Sequence, residues 1–184
     1  MPIQPTDEEE IYFKKQELAL RQQMRQQMAT AAERSVQEGR RRELAERIQG
    51  LGFEGDKAKV FDLMPLVHVA WADGSISRKE RATILDAVVA RGIAPGTEPF
   101  QLVESMLEEP PPAAFMSETL ELLKEVCGGK RADSIVDLCL AVADSSGGFR
   151  GRGSRGSDEE RERIREIAAH FGSDALAKVQ RSLL

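Results

Sequence analysis

The stretch Asp73-Gly-Ser-Ile-Ser-Arg-Lys-Glu80 lies between two apolar segments that have helical periodicity. Gly74 can adopt the positive φ that closes a helix, so it predicts the end of the first segment. Ser77 and Glu80 have the S-x-x-E spacing of a capping box, which predicts the start of a second helix. We interpret the stretch as a helix–loop–helix joint that carries two carboxylates, Asp73 and Glu80.

A second copy of this joint occurs later in the chain. Asp62-x10-Asp73 aligns with Asp133-x10-Asp144, and Ser157-x-x-Glu160 repeats the capping-box spacing. Further matching positions are Met64, Val67, Ala70 and Ala72 with Ile135, Leu138, Ala141 and Ala143, Ile84 with Ile164, and Gly92 with Gly172. The repeats cover about 62–92 and 133–172, and the second has the longer loop. Two copies favour a pseudo-two-fold helical domain over a solenoid, which needs more repeats.

Composition and pattern predict an all-α fold. Apolar residues make up 41% of the chain but aromatic residues only 5%, so the core must consist of aliphatic side chains and Met. No segment continues the period-two alternation of a strand. After residue 50 the pattern predicts a bundle of about seven helices, at about 56–72, 77–90, 99–109, 117–126, 130–143, 158–171 and 173–183. Pro65 either kinks the first of these or marks its true start.

Charge and cysteine content restrict the classes of function. A net charge of −5 argues against nucleic acid as a partner, since neutralising phosphates requires an excess of Lys and Arg. Cys127 and Cys139 lack CxxC spacing, and we expect both to be reduced and buried. No apolar run reaches the roughly 20 residues of a membrane span, and the acidic N-terminus does not resemble a secretory signal. We expect a cytoplasmic protein.

Residues 1–49 form a separate arm that precedes the helical domain, 50–184. Strong helix formers run from Asp7 to about Gln49 with only Gly39 among them, which predicts one long helix. Its apolar residues are sparse and do not follow a heptad, so a long two-stranded coiled coil is not expected. They include a stripe spaced by four, which consists of Leu20, Met24, Met28, Ala32 and Val36.

The arm has two interpretations. It packs this narrow stripe on the domain, or it docks to a protein partner or to a second copy of itself. The residues that would carry docking are Ile11, Tyr12, Phe13, Leu20, Met24 and Met28. The adjacent aromatic pair Tyr12-Phe13 on an otherwise polar helix is the strongest docking feature.

The duplicated carboxylates suggest a metal site. If the repeats pack about a pseudo-two-fold axis, Asp73, Glu80, Asp144 and Glu160 converge, and a divalent cation would relieve their mutual repulsion. The joint is not an EF-hand, because loop positions 1 and 3 would fall on Val69 and Trp71, which cannot bind calcium. The competing interpretation is that these residues only cap helices, and no other cofactor is indicated.

The Ala-x-Ala-Asp-Gly turn followed by x-Ile-Ser-x-x-Glu resembles the TerB-like family. This family includes tellurite-resistance TerB proteins and a region of DnaJ-like co-chaperones. The matching residues are Ala70, Ala72, Asp73, Gly74, Ile76, Ser77 and Glu80, with Ala141, Ala143, Asp144 and Glu160 in the second repeat. The resemblance covers about residues 56–184. It implies a bundle of about seven helices with internal pseudo-symmetry and an acidic cluster suspected of binding metal.

Two functions remain open. The first is a non-enzymatic interaction or stress-response module that docks through the arm, with or without a divalent cation. The alternative is a metal-dependent hydrolase that uses the acidic cluster, for which three or four converging ligands and an open water position are required. The glycine- and arginine-rich loop 145–156 is not a P-loop, since no Gly-Lys-Ser/Thr follows it.

Overall fold

The computed structural model describes residues 7–127, 130–146 and 157–183, and every regular element within these ranges is a helix. The elements in chain order are α1 (Asp7–Gly50), a 3-10 helix (Gly55–Leu63), α2 (Met64–Ala70), α3 (Arg78–Ala90), α4 (Glu98–Glu108), α5 (Ala113–Val126), α6 (Lys130–Ser146), α7 (Asp158–Phe171) and α8 (Ser173–Leu183). The prediction of an all-α bundle with a long N-terminal helix is confirmed, and seven of these α-helices follow α1.

The chain divides into two compact units, Met1–Ala45 and Glu46–Leu184. The first contains most of α1. The second contains the remaining helices and the buried core. In the part of the chain that the structure describes, no helix is both long enough and apolar enough to cross a membrane.

Pro65 marks the true start of a helix. It lies in the first turn of α2, where its missing N–H leaves no helical hydrogen bond unmade. The residues before it form the 3-10 helix rather than an extension of α2. A further boundary error concerns α5, which starts at Ala113 and not at Ser117. Pro112 lies at its N-cap with φ −54° and ψ 142°, so the helix begins directly after the proline run.

The two repeats pack reciprocally. The first helices of each repeat, α2 and α6, contact each other, while α3 packs on α6 and α7 packs on α2. Each second helix therefore packs on the first helix of the other repeat, which is the pattern that a pseudo-two-fold arrangement produces. The outer helices extend it, because α4 packs on α3 and α8 packs on α7.

The core at this interface is aliphatic, as the composition predicts. It contains Leu63, Met64, Leu66 and Val67 from the first repeat and Ile135, Val136, Ile164 and Ile167 from the second, all fully buried. The alignment of the repeats is incomplete, because Ala70 is buried whereas its counterpart Ala141 is exposed.

A buried carboxylate joins three elements of the second unit. Asp62, in the 3-10 helix, is only 3% exposed. Its Oδ2 accepts hydrogen bonds from Arg91 Nη1 at 2.5 Å and from Arg131 Nη2 at 3.0 Å. Arg91 follows α3 and Arg131 lies at the start of α6, so one carboxylate holds both repeats and the 3-10 helix together.

Candidate functional site

The first joint is built by local hydrogen bonds. Ser77 Oγ accepts from the backbone N–H of Glu80 at 3.2 Å, and Glu80 Oε2 accepts from the backbone N–H of Ser77 at 2.7 Å. This is the predicted capping box. Asp73 Oδ1 accepts from the backbone N–H of Ser75 at 3.0 Å, which forms an Asx turn. Gly74 has the expected positive φ of 84°, but α2 ends four residues before it and a turn from Trp71 fills the interval.

The second joint repeats the capping box of the first. Ser157 Oγ accepts from the backbone N–H of Glu160 at 3.1 Å, and Glu160 Oε2 accepts from the backbone N–H of Ser157. Residues 147–156, which contain most of the glycine- and arginine-rich loop, lie outside the described residues. The helices that follow both capping boxes end at glycines with positive φ, Gly92 at 78° and Gly172 at 114°.

The four predicted metal ligands lie in two kinds of environment. Glu80 is 2% exposed and Glu160 is fully buried, whereas Asp73 and Asp144 are exposed. Within the described ranges, no group of three or more His, Cys, Asp or Glu side chains is arranged to hold a metal ion. Both glutamates serve their capping boxes instead. The geometry therefore favours the capping interpretation, and the four-carboxylate metal site remains a hypothesis for titration.

A cavity of about 250 Å³ lies beside the first joint. Its walls include His68 and Trp71 from the first repeat, Pro110 and Pro111 from the segment between α4 and α5, and Arg163 from α7. Trp71 Nε1 donates a hydrogen bond to the carbonyl oxygen of Met106 at 2.9 Å, which ties the end of α2 to α4. The cavity thus brings together side chains from both repeats.

The imidazole of His68 is neutral in this environment. It is only 6% exposed, and its Nε2 lies 3.4 Å from Thr119 Oγ1. Burial, followed by the nearby positive charge of Arg163, lowers the pKa of His68 to about 4. Arg163 is itself paired with Glu166 at 2.8 Å. We assign His68 a structural role in the wall of this cavity.

The sequence did not indicate this cavity, because its walls come from segments far apart in the chain. Position 163 has no local motif. The one indication was that residue 163 lies in the helix after the second capping box. In a pseudo-two-fold arrangement this helix, α7, packs on α2 of the first repeat.

The two cysteines agree with the expectation from the sequence. Both are free and buried. Burial raises the pKa of the Cys127 thiol and raises that of Cys139 further, so neither forms the reactive thiolate at neutral pH.

A further candidate site is the surface of α1, whose large apolar side chains are exposed. The exposed fractions range from 54% to 73% for Ile11, Tyr12, Phe13, Leu18, Leu20, Met24, Met28 and Val36. The rings of Tyr12 and Phe13 meet edge to face, 6.2 Å apart. At about 100° per residue, Phe13, Leu20, Met24, Met28 and Ala31 lie within an arc of about 80°. We call these five residues the apolar face of α1.

No family model, curated protein or solved structure matches the chain.

Proposed function

We propose that this chain is a non-enzymatic interaction module of the TerB-like kind that self-associates through α1. The observation that carries the proposal is the exposure of large apolar side chains along α1, at 54% to 73% for the eight named above. Large apolar side chains exposed in this number on one helix are typical of a protein interface.

The polar groups that could serve catalysis have structural roles instead. Glu80 and Glu160 complete capping boxes, Asp62 binds two arginines, and His68 lies against Thr119. Metal-assisted hydrolysis would need several of these carboxylates free to converge on one ion. These contacts favour a binding role over a hydrolytic one.

The TerB-like assignment depends on the motif residues of the two joints and on their reciprocal packing. Both capping boxes form, at Ser77/Glu80 and Ser157/Glu160, and each second helix packs on the other repeat. The duplicated joint thus builds one helical scaffold, and α1 supplies the docking segment.

Deletion of residues 1–45 tests whether α1 carries self-association while the second unit folds without it. The second compact unit begins at Glu46, so we expect 46–184 to remain helical and to melt within a few degrees of the full chain. The deleted chain should also sediment as a monomer. Loss of the folded domain would show that α1 completes the core, and the proposal would fail. An unchanged association state would place any self-association outside α1.

A further inference from the structure

We propose that the cavity beside the first joint binds a small carboxylate that has an apolar body and a hydroxyl group. The ligand carboxylate pairs with Arg163, and the ligand hydroxyl donates a hydrogen bond to His68 Nδ1. The cavity lies within the second unit, so this proposal does not depend on self-association through α1. Two polar contacts of this kind, set among apolar side chains, are what orients a ligand in a small-molecule site.

The cavity has the size and lining of a site for a small organic molecule. Its volume of about 250 Å³ equals that of roughly eight waters, so it fits a ligand of roughly eight to ten non-hydrogen atoms. Its apolar lining residues are Trp71, Pro110, Pro111, Ala113, Met116 and Leu120, and its polar ones are His68, Ser117 and Arg163. A lining of this mixed kind fits a ligand with an apolar body and few polar groups.

Arg163 makes the cavity a site for an anion. Among the described residues that line it, Arg163 alone is charged, because His68 is neutral. The ion pair between Arg163 and Glu166 is partly exposed and therefore weak. This pair uses Nη1, which leaves further N–H donors of the guanidinium for a ligand. A planar guanidinium binds a carboxylate through two parallel hydrogen bonds, so a carboxylate is the anion that fits best.

The charge of the lining distinguishes this cavity from its neighbour. A second cavity, of about 360 Å³, shares Pro110 and Pro111 with it and is also lined by Glu109. Among the described residues that line this second cavity, Glu109 alone is charged. Because like charges repel, an anion is disfavoured beside Glu109 and favoured beside Arg163.

His68 offers the ligand a hydrogen-bond acceptor. The Thr119 hydroxyl donates to the carbonyl oxygen of Met116 at 2.7 Å, so its oxygen can only accept from His68. The neutral imidazole therefore carries its hydrogen on Nε2, 3.4 Å from Thr119 Oγ1, and a lone pair on Nδ1. Within the described residues, no group donates a hydrogen bond to Nδ1. Because His68 is buried and lines the cavity, a ligand hydroxyl can satisfy this acceptor.

Titration of the full-length, ¹⁵N-labelled chain tests the site through the indole N–H resonance of Trp71. The chain has one tryptophan, and it lines the cavity, so this signal is identified without further assignment. The probes are meta-hydroxybenzoate and para-hydroxybenzoate, compared with benzoate, which lacks the hydroxyl, and benzyl alcohol, which lacks the carboxylate. We expect the tighter hydroxybenzoate to shift the signal saturably, with an affinity about fivefold above that of benzoate. Benzyl alcohol should bind about tenfold more weakly than benzoate.

Matched variants separate the two polar contacts. Arg163→Gln should weaken the binding of benzoate and of the tighter hydroxybenzoate about tenfold, because it removes the positive charge. Arg165→Gln breaks a similar ion pair on the same helix, with Glu162 at 2.9 Å, outside the cavity lining, so it should leave both affinities unchanged. His68→Phe removes Nδ1, so the hydroxybenzoate should bind this variant no more tightly than benzoate does.

The results that overturn the proposal differ for its parts. If no probe shifts the indole signal saturably at about 10 mM, the cavity is not a site for this class of ligand. If Arg163→Gln binds benzoate as the native chain or Arg165→Gln does, Arg163 does not hold the carboxylate. If benzoate and the tighter hydroxybenzoate bind the native chain equally, the contact with His68 is absent, and this comparison decides even if His68→Phe does not fold.

Discussion

The backbone N–H of Ser77 donates a hydrogen bond to Glu80 Oε2 at 2.7 Å, and Ser77 Oγ accepts one from the backbone N–H of Glu80 at 3.2 Å. Glu80, one of the four proposed metal ligands, is thus buried and accepts a hydrogen bond at the start of α3. The same relationship recurs between Ser157 and Glu160. Duplicated capping therefore accounts for the recurrence of Glu80 and Glu160 without a metal ion.

The capping interpretation predicts an asymmetry between two substitutions in the first joint. Ser77→Ala removes the oxygen that accepts from the N–H of Glu80 and should lower the free energy of unfolding by about 1 kcal/mol. Glu80→Gln keeps an oxygen for the N–H of Ser77 and should change stability by less than about 1 kcal/mol. Urea denaturation of both variants measures the difference. A large loss for Glu80→Gln alone would show that its charge is needed.

Metal titration tests the remaining hypothesis of a divalent-cation site at Asp73, Glu80, Asp144 and Glu160. Under capping alone, calcium, magnesium, zinc or manganese should leave the melting temperature of the native chain and of Glu80→Gln unchanged. A bound cation would instead stabilise the native chain with increasing concentration, since it binds only the folded state. If Glu80→Gln lost most of that gain, the capping interpretation would be incomplete and the hydrolase alternative would gain support.

His68 should make stability depend on pH. Its pKa is about 4 in the folded chain and 6.5 in the unfolded one, so the unfolded state takes up the proton first as the pH falls. Stability is therefore full above about pH 6.5 and decreases toward pH 4, by on the order of 3 kcal/mol. Urea denaturation between these pH values should show this slope in the native chain and in His170→Gln. The slope should be reduced in His68→Gln, and an equal slope in all three would exclude His68 as the cause.

Because both arginines pair with the buried carboxylate of Asp62, the stability losses from substituting them should not be additive. Arg91→Gln or Arg131→Gln alone leaves one guanidinium on Asp62, so each should cost about 1 kcal/mol or less. The double substitution leaves a buried carboxylate with neither ion-pair partner and should cost on the order of 3 kcal/mol. A double-mutant cycle measured by urea denaturation reports the coupling. Additive losses would show that the pair does not act as a unit.

The sequence predicted those features that arise from contacts within a few residues. Both capping boxes join residues three apart, and Pro65 starts α2 through its own ring geometry, so each is readable locally. The predicted start of α5 at residue 117 was wrong, because Ala113–Met116 continue the helix back to the proline run.

Burial and long-range pairing could not be predicted in the same way. Asp62 meets Arg131 across 69 residues of sequence, and nothing near either residue specifies the other. The burial of Glu80 and Glu160 follows from how the repeats pack, although the sequence shows only that each can cap a helix. The spacing of the carboxylates in the sequence shows that they recur, but it does not show which way their side chains point. The hypothesis of a metal site therefore could not be decided from the sequence.

Sedimentation equilibrium of the full-length chain tests self-association through α1 most directly. We predict that the native chain shows a concentration-dependent increase from monomer to dimer mass. Met24→Glu, which places a carboxylate in the middle of the apolar face of α1, should remain a monomer with unchanged helicity. Gln22→Glu, a charge change on the opposite side of α1, should still dimerise. A native chain that stays monomeric at the highest concentration, or a Met24→Glu chain that dimerises like the native one, would contradict the account.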